Sequence, residues 1–249
     1  MAQVLGARVH GLSLLQAQQR IAQLLAQPGS AHVITFGAEM AMLAATDGSY
    51  RAIVNAADLV VPDTIGIVYA AKLLGTPVPE RVAGIELAEA VCEDCARAAL
   101  PVFLLGAAPG VAEDAADALR QRFPGLIVAG VQDGYFNEER APAILAQIRA
   151  SGARLLFVAL GFPKQEQWIQ RHLHGLPGVV CIGVGGSFDV WGGRAARAPK
   201  VLRATGFEWL YRLVREPRRF RRQLALPKFA LSVMSQAWHE RKTRKRSAL

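Results

Sequence analysis

Apolar residues along this chain alternate between two rhythms. Short unbroken runs, AHVITF (31–36), LVV (59–61), PVFLLG (101–106), LIVAGV (126–131), LLFVALG (155–161) and VVCIGV (179–184), are too short for helices. They read as strands buried on both faces. Between them lie stretches with three- and four-residue apolar spacing. These are LLQAQQRIAQLLAQ behind a capping-box Ser13, Gly37 to Ala45, IGIVYAAKLL, Ile85 to Ala99, VAEDAADALRQRF, ERAPAILAQIRA and FPKQEQWIQRH. The opening VLGARVHGLS reads as one further strand. Strand and helix alternating at such short intervals predict βαβ units. The expected fold is therefore α/β, a mostly parallel sheet with helices on both faces. Right-handed crossovers bring the strand-to-helix loops to one edge of that sheet, the edge where open α/β sheets bind ligands.

Those loops are polar in a way that turns alone do not require. Asp63 ends the second run, just past Pro62, which cannot continue a ladder. It is either the cap of the following helix or a catalytic acid. Gly106 and Gly110 in LLGAAPGVAED sit between strand and helix without forming GxGxxG or a GKS/GKT loop. They make either a close turn or a backbone cradle for a pyrophosphate. GVGGSFD repeats the choice with Gly185 and Asp189, which is an N-cap or a partner for ribose or base. Glu166 suits a helix's first turn electrostatically, whereas the adjacent Gln165 has no such explanation and its amide can donate to a sugar hydroxyl. Arg81, beside Glu80, is a surface ion pair or a clamp for a phosphate or leaving group. The chain holds no D-x-D, no H-x-x-x-H and no G-x-S-x-G, so neither a dedicated divalent-metal site nor a serine hydrolase is expected.

Charge divides the chain. Residues 194–249 carry 16 Lys/Arg against 3 acids, and residues 1–193 carry 13 against 17. The expected organisation is a body over 1–193 and a basic helical appendage over 194–249. The appendage mixes Arg218, Arg219, Arg221 and Arg222 with an apolar set, Phe229, Leu231, Val233, Met234 and Trp238. Bulk beside clustered cations suits an anionic membrane surface; the alternative for the apolar set is a helical hairpin packed on the body. Base-stacking aromatics are not interleaved with the basic run, so nucleic acid is not the expected partner. No export signal or spanning segment is expected from the apolar pattern. Three cysteines, two of them a CxxC inside a helical stretch, read as reduced structural thiols.

Taken together, VITFGAEM (33–40), ADLVVPDTIGIV (57–68), ERVAG (80–84), FLLGAAPGVAEDAA (103–116), DGYF (133–136), FVALGFPKQEQWI (157–169), GVGGSFDVWGGRAARAP (183–199) and FEWLYRLVREPRRFRR (207–222) resemble the WecG/TagA/CpsF family of bacterial glycosyltransferases. The resemblance implies a Rossmann-like body. It implies inverting transfer of an N-acetylhexosamine, of the N-acetylmannosamine kind, from a UDP-sugar to a GlcNAc-diphospho-polyprenol, without metal or other cofactor. The enzyme would lie peripherally on the cytoplasmic face of the plasma membrane, serving cell-surface polysaccharide synthesis; a homo-oligomer is left open. Residue by residue, the resemblance implies Asp63 as base, with Arg81 and Gln165 also catalytic. Thr35, Gly37, Thr64, Gly106, Gly110, Tyr135, Gly185 and Asp189 would bind substrate. Arg212, Arg215, Arg218, Arg219, Arg221 and Arg222 would meet the lipid diphosphate. Two positions depart from the family pattern: Gly37 where T-x-N is usual, and Thr64 where PDG is usual. Both lie beside the expected donor sugar. The rival readings are a non-catalytic nucleotide-sugar or nucleic-acid binding protein with a basic affinity tail, and a NAD-type oxidoreductase, which lacks its fingerprint here.

Overall fold

The computed structural model describes residues 1–199 and 225–247. The opening stretch is not one strand but a hairpin, β1 (Ala2–Val4) and β2 (Ala7–Val9), forming its own two-stranded antiparallel sheet. Its two-residue turn, Leu5 and Gly6, has positive φ at both positions, the primed geometry that lets a tight hairpin match strand twist. Ser13 then makes the expected capping box with Gln16 and starts α1 (Leu14–Ala26).

The main sheet follows the predicted runs closely. β3 (Ala31–Phe36) leads to α2 (Ala38–Thr46) and α3 (Gly48–Ala56). β4 (Leu59–Pro62) leads to α4 (Ile65–Leu73) and α5 (Gly84–Arg97). β5 (Val102–Gly106) and α6 (Val111–Arg122) come next, then β6 (Val128–Gln132) and α7 (Ala141–Ala150). β7 (Leu155–Ala159), α8 (Lys164–His172), β8 (Val180–Gly183) and the short α9 (Ser187–Trp191) complete the body. The helix α3 is an addition to the sequence reading. Asp47 creates it by accepting hydrogen bonds from Ser49 N and Tyr50 N at 2.8 and 3.1 Å. Only Tyr50 and Val54 are buried along it, too few to show as an apolar period.

The six strands are parallel in the order β4-β3-β8-β7-β5-β6. Alternate side chains point to opposite faces. One face packs Val33, Val61, Leu104, Phe157 and Ile182 beneath α1, α5, α6 and α9. The other divides into two clusters: Ile34, Phe36 and Val60 under the hairpin, α2, α3 and α4, and Phe103, Leu105, Leu156 and Val158 under α7 and α8. The helix after β5 thus lies on one face and the helix after β7, its neighbour, on the other. That reversal opens a crevice at the carboxyl ends of the two strands.

The basic C-terminal segment is tied to the body at both of its described ends. Arg194 grips Asp114 of α6 through Nε and Nη2 at 2.9 and 2.7 Å, and Arg197 reaches Glu86 of α5 at 2.6 Å. The last helix, α10 (Ala225–Ser247), lies against α2 and α4. Its Phe229, Val233 and Ala237 are buried in the same cluster as Ile34 and Ile67. Leu231, Met234 and Trp238 face outward at 63%, 51% and 59% exposure. The apolar residues of this helix therefore split between a packed face and an exposed one. No helix among the described residues is long and apolar enough to cross a membrane. All three cysteines are buried and unpaired. Burial pushes the Cys95 and Cys181 thiols up to about 12, far from a reactive thiolate.

Candidate active site

The site is assembled at the carboxyl edge of the sheet from loops the strands project there. Pairing Phe36 with Pro62 brings the ends of β3 and β4 level, and Asp63 N bonds Phe36 O at 3.0 Å. Asp63 does not cap α4, the helix it precedes: Thr64 is that helix's N-cap, and it makes no side-chain cap bond. Asp63 Oδ1 instead accepts the N–H of Gly84 at 2.7 Å, the first residue of the 14-residue α5. An open helix start is a stable seat for negative charge. Val82 N bonds Pro62 O at 2.8 Å, which folds the loop bearing half-buried Arg81 back onto the same strand end.

Thr35 shares that corner. Its hydroxyl donates to Gly183 O at 3.2 Å, bridging β3 and β8. A Cβ on Gly84 would stand 3.0 Å from the Thr35 side chain. Only glycine lets the helix that holds Asp63 approach so near. Gly37, the N-cap of α2, lies against Thr64, whose γ-methyl would be 3.3 Å from a Cβ at position 37. The Thr64 hydroxyl is buried and has no hydrogen-bond partner. The two positions expected to depart from the family pattern are therefore neighbours in space. Thr64 occupies the space that a side chain at 37 would enter.

Gln165 and Glu166 are buried at the start of α8, 5% and 1% exposed. Gln165 Oε1 accepts Gly185 N at 3.1 Å, and Gln165 Nε2 donates to Glu166 Oε1 at 2.7 Å. The amide is thus occupied with the turn after β8. Gly185, with φ +52°, leads into α9. Its Asp189 is half-buried, and its carbonyl accepts Arg194 N and Ala195 N, both at 2.8 Å.

Gly106 and Gly110 have backbone reasons to be glycine. A Cβ at 106 would stand 2.5 Å from the Ala159 backbone, and Gly110 has φ +81°. Across from them, Asp133 Oδ1 accepts Tyr135 N at 2.8 Å and presents the Tyr135 ring, 73% exposed. Here, between the ends of β5 and β7, lies a cavity of about 640 Å³. Its walls include Tyr135, Asn137, Lys164, Gln167, Trp168 and Arg171. Aromatic rings, two amides and Lys164, beside an Arg171 paired with Glu138, suit a nucleotide with its phosphates. Among the described residues, no three His, Cys, Asp or Glu side chains gather as a metal would need.

The sequence-predicted residues thus fall into one edge with two lobes. Thr35, Gly37, Asp63, Thr64 and the Arg81 loop form one. Tyr135 lines the other, Gly106 and Gly110 lie in the β5–α6 turn whose Ala107 and Ala108 line it, and Gln165, Gly185 and Asp189 lie near the β8 end. Arg212, Arg215, Arg218, Arg219, Arg221 and Arg222 lie outside the described residues. The sequence reading gave Glu166 no part beyond an acidic first turn, and its burial has no periodic signature. The family description "Glycosyl transferase WecG/TagA/CpsF family" matches residues 2–243. The chain belongs to this family. A WecG/TagA/CpsF member accounts for the polar edge on a parallel sheet, and the match gives no support to a non-catalytic binding protein. Two similar proteins both carry the name N-acetylglucosaminyldiphosphoundecaprenol N-acetyl-beta-D-mannosaminyltransferase. The one from Bacillus spizizenii (strain W23) is 37% identical over 221 residues, 89% of this chain and 84% of its own. The one from Bacillus subtilis (strain 168) is 33% identical over 204 residues, 82% and 79%.

Proposed function

We propose that this glycosyltransferase moves an N-acetylmannosamine-type sugar from a UDP donor to the sugar of a polyprenyl-diphosphate-linked GlcNAc, with inversion at the anomeric carbon. The names of the two Bacillus relatives support the acceptor and the sugar type. The observation that carries the mechanism is the seat of Asp63, held by Gly84 N–H beside Thr35. Proton removal is assigned to this carboxylate. The acceptor hydroxyl loses its proton to Asp63 as its oxygen attacks the anomeric carbon, and UDP leaves with the bonding electron pair. General-base help of this kind contributes on the order of 10²–10⁴ in rate. Thr35 and Thr64 orient the sugars, the Thr64 hydroxyl being an unspent donor. Arg81 takes up charge on the departing diphosphate in the role a metal plays elsewhere.

The nucleotide is assigned to the cavity between β5 and β7, with Tyr135 against the nucleoside and Lys164 toward its phosphates; Arg171 is held there by Glu138 at 2.8 Å. The lipid diphosphate is assigned to Arg212–Arg222. Chain continuity favours this, because the described residues on either side of 200–224 meet the body nearby: Arg197 binds Glu86, two residues past Gly84, and Phe229 stands 3.5 Å from the Cβ position of Gly66. Both ends flank the Asp63 corner. The outward face of α10, with Leu231, Met234 and Trp238, and Lys242 5.1 Å from the Trp238 ring, suits the headgroup layer of an anionic membrane. The test is Asp63→Asn. Asparagine keeps an oxygen for Gly84 N–H but is no base. Turnover should collapse while the melting temperature holds; a folded variant with near-normal turnover overturns the assignment.

A further inference from the structure

Glu166 is a buried acid that the transfer mechanism leaves unused. It is 1% exposed, and one oxygen, Oε2, has no hydrogen-bond partner. Among the described residues no Lys or Arg acts on its charge. Among the described residues a further polar neighbour is the Tyr50 hydroxyl of α3, equally buried. It lies beside the carboxyl without a hydrogen bond of good geometry. Burial pushes the Glu166 carboxyl up to about 7, and the Gln165 hydrogen bond opposes that only in part. Filling this position with an acid costs stability that an apolar residue of equal length would not. What the acid does there is visible in its one strong contact, Oε1 accepting Gln165 Nε2 at 2.7 Å.

That contact decides which way the Gln165 amide points. With its NH2 group anchored on Glu166, the amide oxygen faces Gly185 and accepts its N–H. Turned over, the amide would set two donors against each other. Gly183 is part of the same device. A Cβ there would stand 2.6 Å from Gln165 Nε2 and 3.2 Å from Glu166 Oε1. The Gly183 carbonyl, in turn, receives the Thr35 hydroxyl. The peptides from 183 to 185 are therefore clamped between Thr35 on one face of the sheet and the Gln165–Glu166 pair on the other.

We propose that Glu166 is a positioning residue for sugar transfer, fixing the Gln165 amide so that it holds Gly185 N–H and sets the turn between β8 and α9. The inference rests on the transferase reading for its kinetic consequence, but the turn itself can be observed without activity. The experiment uses the full chain and three variants. Glu166→Met keeps length and burial and removes the acceptor. Glu166→Gln supplies an amide oxygen in place of Oε1. Gln165→Met cuts the link from the other side. Amide hydrogen exchange over residues 183–189 and the KM for the UDP-sugar are measured for each, with melting temperature as the control.

Glu166→Met should speed exchange across this turn and raise KM, each at least about ten-fold, without lowering the melting temperature. Glu166→Gln should bring both back to within about three-fold of the wild type. Combining Glu166→Met with Gln165→Met should speed exchange no further than either alone, because both act through one contact. Unchanged exchange in Glu166→Met, a Glu166→Gln as impaired as the methionine variant, or additive effects in the double variant would each overturn the proposal. Should Glu166→Met fail to fold, Glu166→Gln against Gln165→Met decides it by the same exchange measurement. A wild type that transfers no sugar would sink the transferase reading, and the exchange result would still judge the clamp.

Discussion

At the scale of single residues, Asp63, the Gly37–Thr64 pair and Glu166 were each legible to a different degree. Asp63 was visible as an acid at a strand end, but its partner was not. Sequence proximity suggests the helix that begins beside it. The structure gives it to Gly84, at a helix start 21 residues later, a contact made by strand order rather than by spacing. Asp63→Asn should lower kcat by about 10²–10⁴, read as UDP release from the folded variant. Thr64 and Gly37 were each noted as departures, yet only the structure shows that one fills the other's space. Gly37→Asn alone should therefore crowd the Thr64 methyl and destabilise the fold. Gly37→Asn with Thr64→Gly should fold and shift the kcat/KM ratio between two UDP-N-acetylhexosamines by about ten-fold or more, measured in competition. Glu166 was hidden because burial of a lone acid leaves no trace in a hydrophobic pattern. Its carboxyl, raised to about 7 from an ordinary 4.5, holds its proton more tightly in the folded chain than in the unfolded one. Stability is then lost as pH rises from the ordinary carboxyl range toward 7, and the loss is complete above it. Glu166→Gln carries no such loss, so its melting temperature should gain on the wild type by several degrees between pH 5 and pH 8.

At the scale of elements, the strands and most helices were legible because burial on both faces produces unbroken apolar runs. The failures have specific causes. The opening stretch holds its turn within two residues, Leu5–Gly6, too short to interrupt the run visibly. The helix α3 is set by the Asp47 cap and buries only two residues. For α10 the sequence offered two uses of its apolar residues, and the helix makes both available on opposite sides. Phe229 and Val233 join the core, and Leu231, Met234 and Trp238 face out. The two sides should respond differently. Phe229→Ala should destabilise the protein by about 3–5 kcal/mol, as truncating a buried aromatic does, seen in thermal or urea unfolding. Leu231→Ser with Trp238→Ser should leave unfolding unchanged and weaken sedimentation with anionic vesicles. Equal vesicle binding by that variant would remove α10 from the membrane contact.

At the scale of the whole molecule, a parallel sheet gathers loops from six strands at one edge, and its strand order sets β3 and β8 between the Asp63 corner and the cavity of about 640 Å³ at the ends of β5 and β7. In the proposed reading the body supplies base and nucleotide crevice, and the described residues on either side of 200–224 are anchored near the same corner, by Arg197 and Phe229. The fold and the edge were readable from alternating apolar runs and polar loops. The division of the edge into two lobes was not, because it depends on which face each helix takes. The central claim is tested most directly by incubating the wild type and Asp63→Asn with a panel of UDP-N-acetylhexosamines and a GlcNAc-diphospho-lipid analogue, and measuring UDP release and the anomeric configuration of the product. The account predicts acceptor-dependent UDP release with an N-acetylmannosamine-type donor, inversion in the product, and a fall of about 10²–10⁴ with Asp63→Asn. No acceptor-dependent release with any donor, or equal release from the folded Asp63→Asn variant, would contradict it.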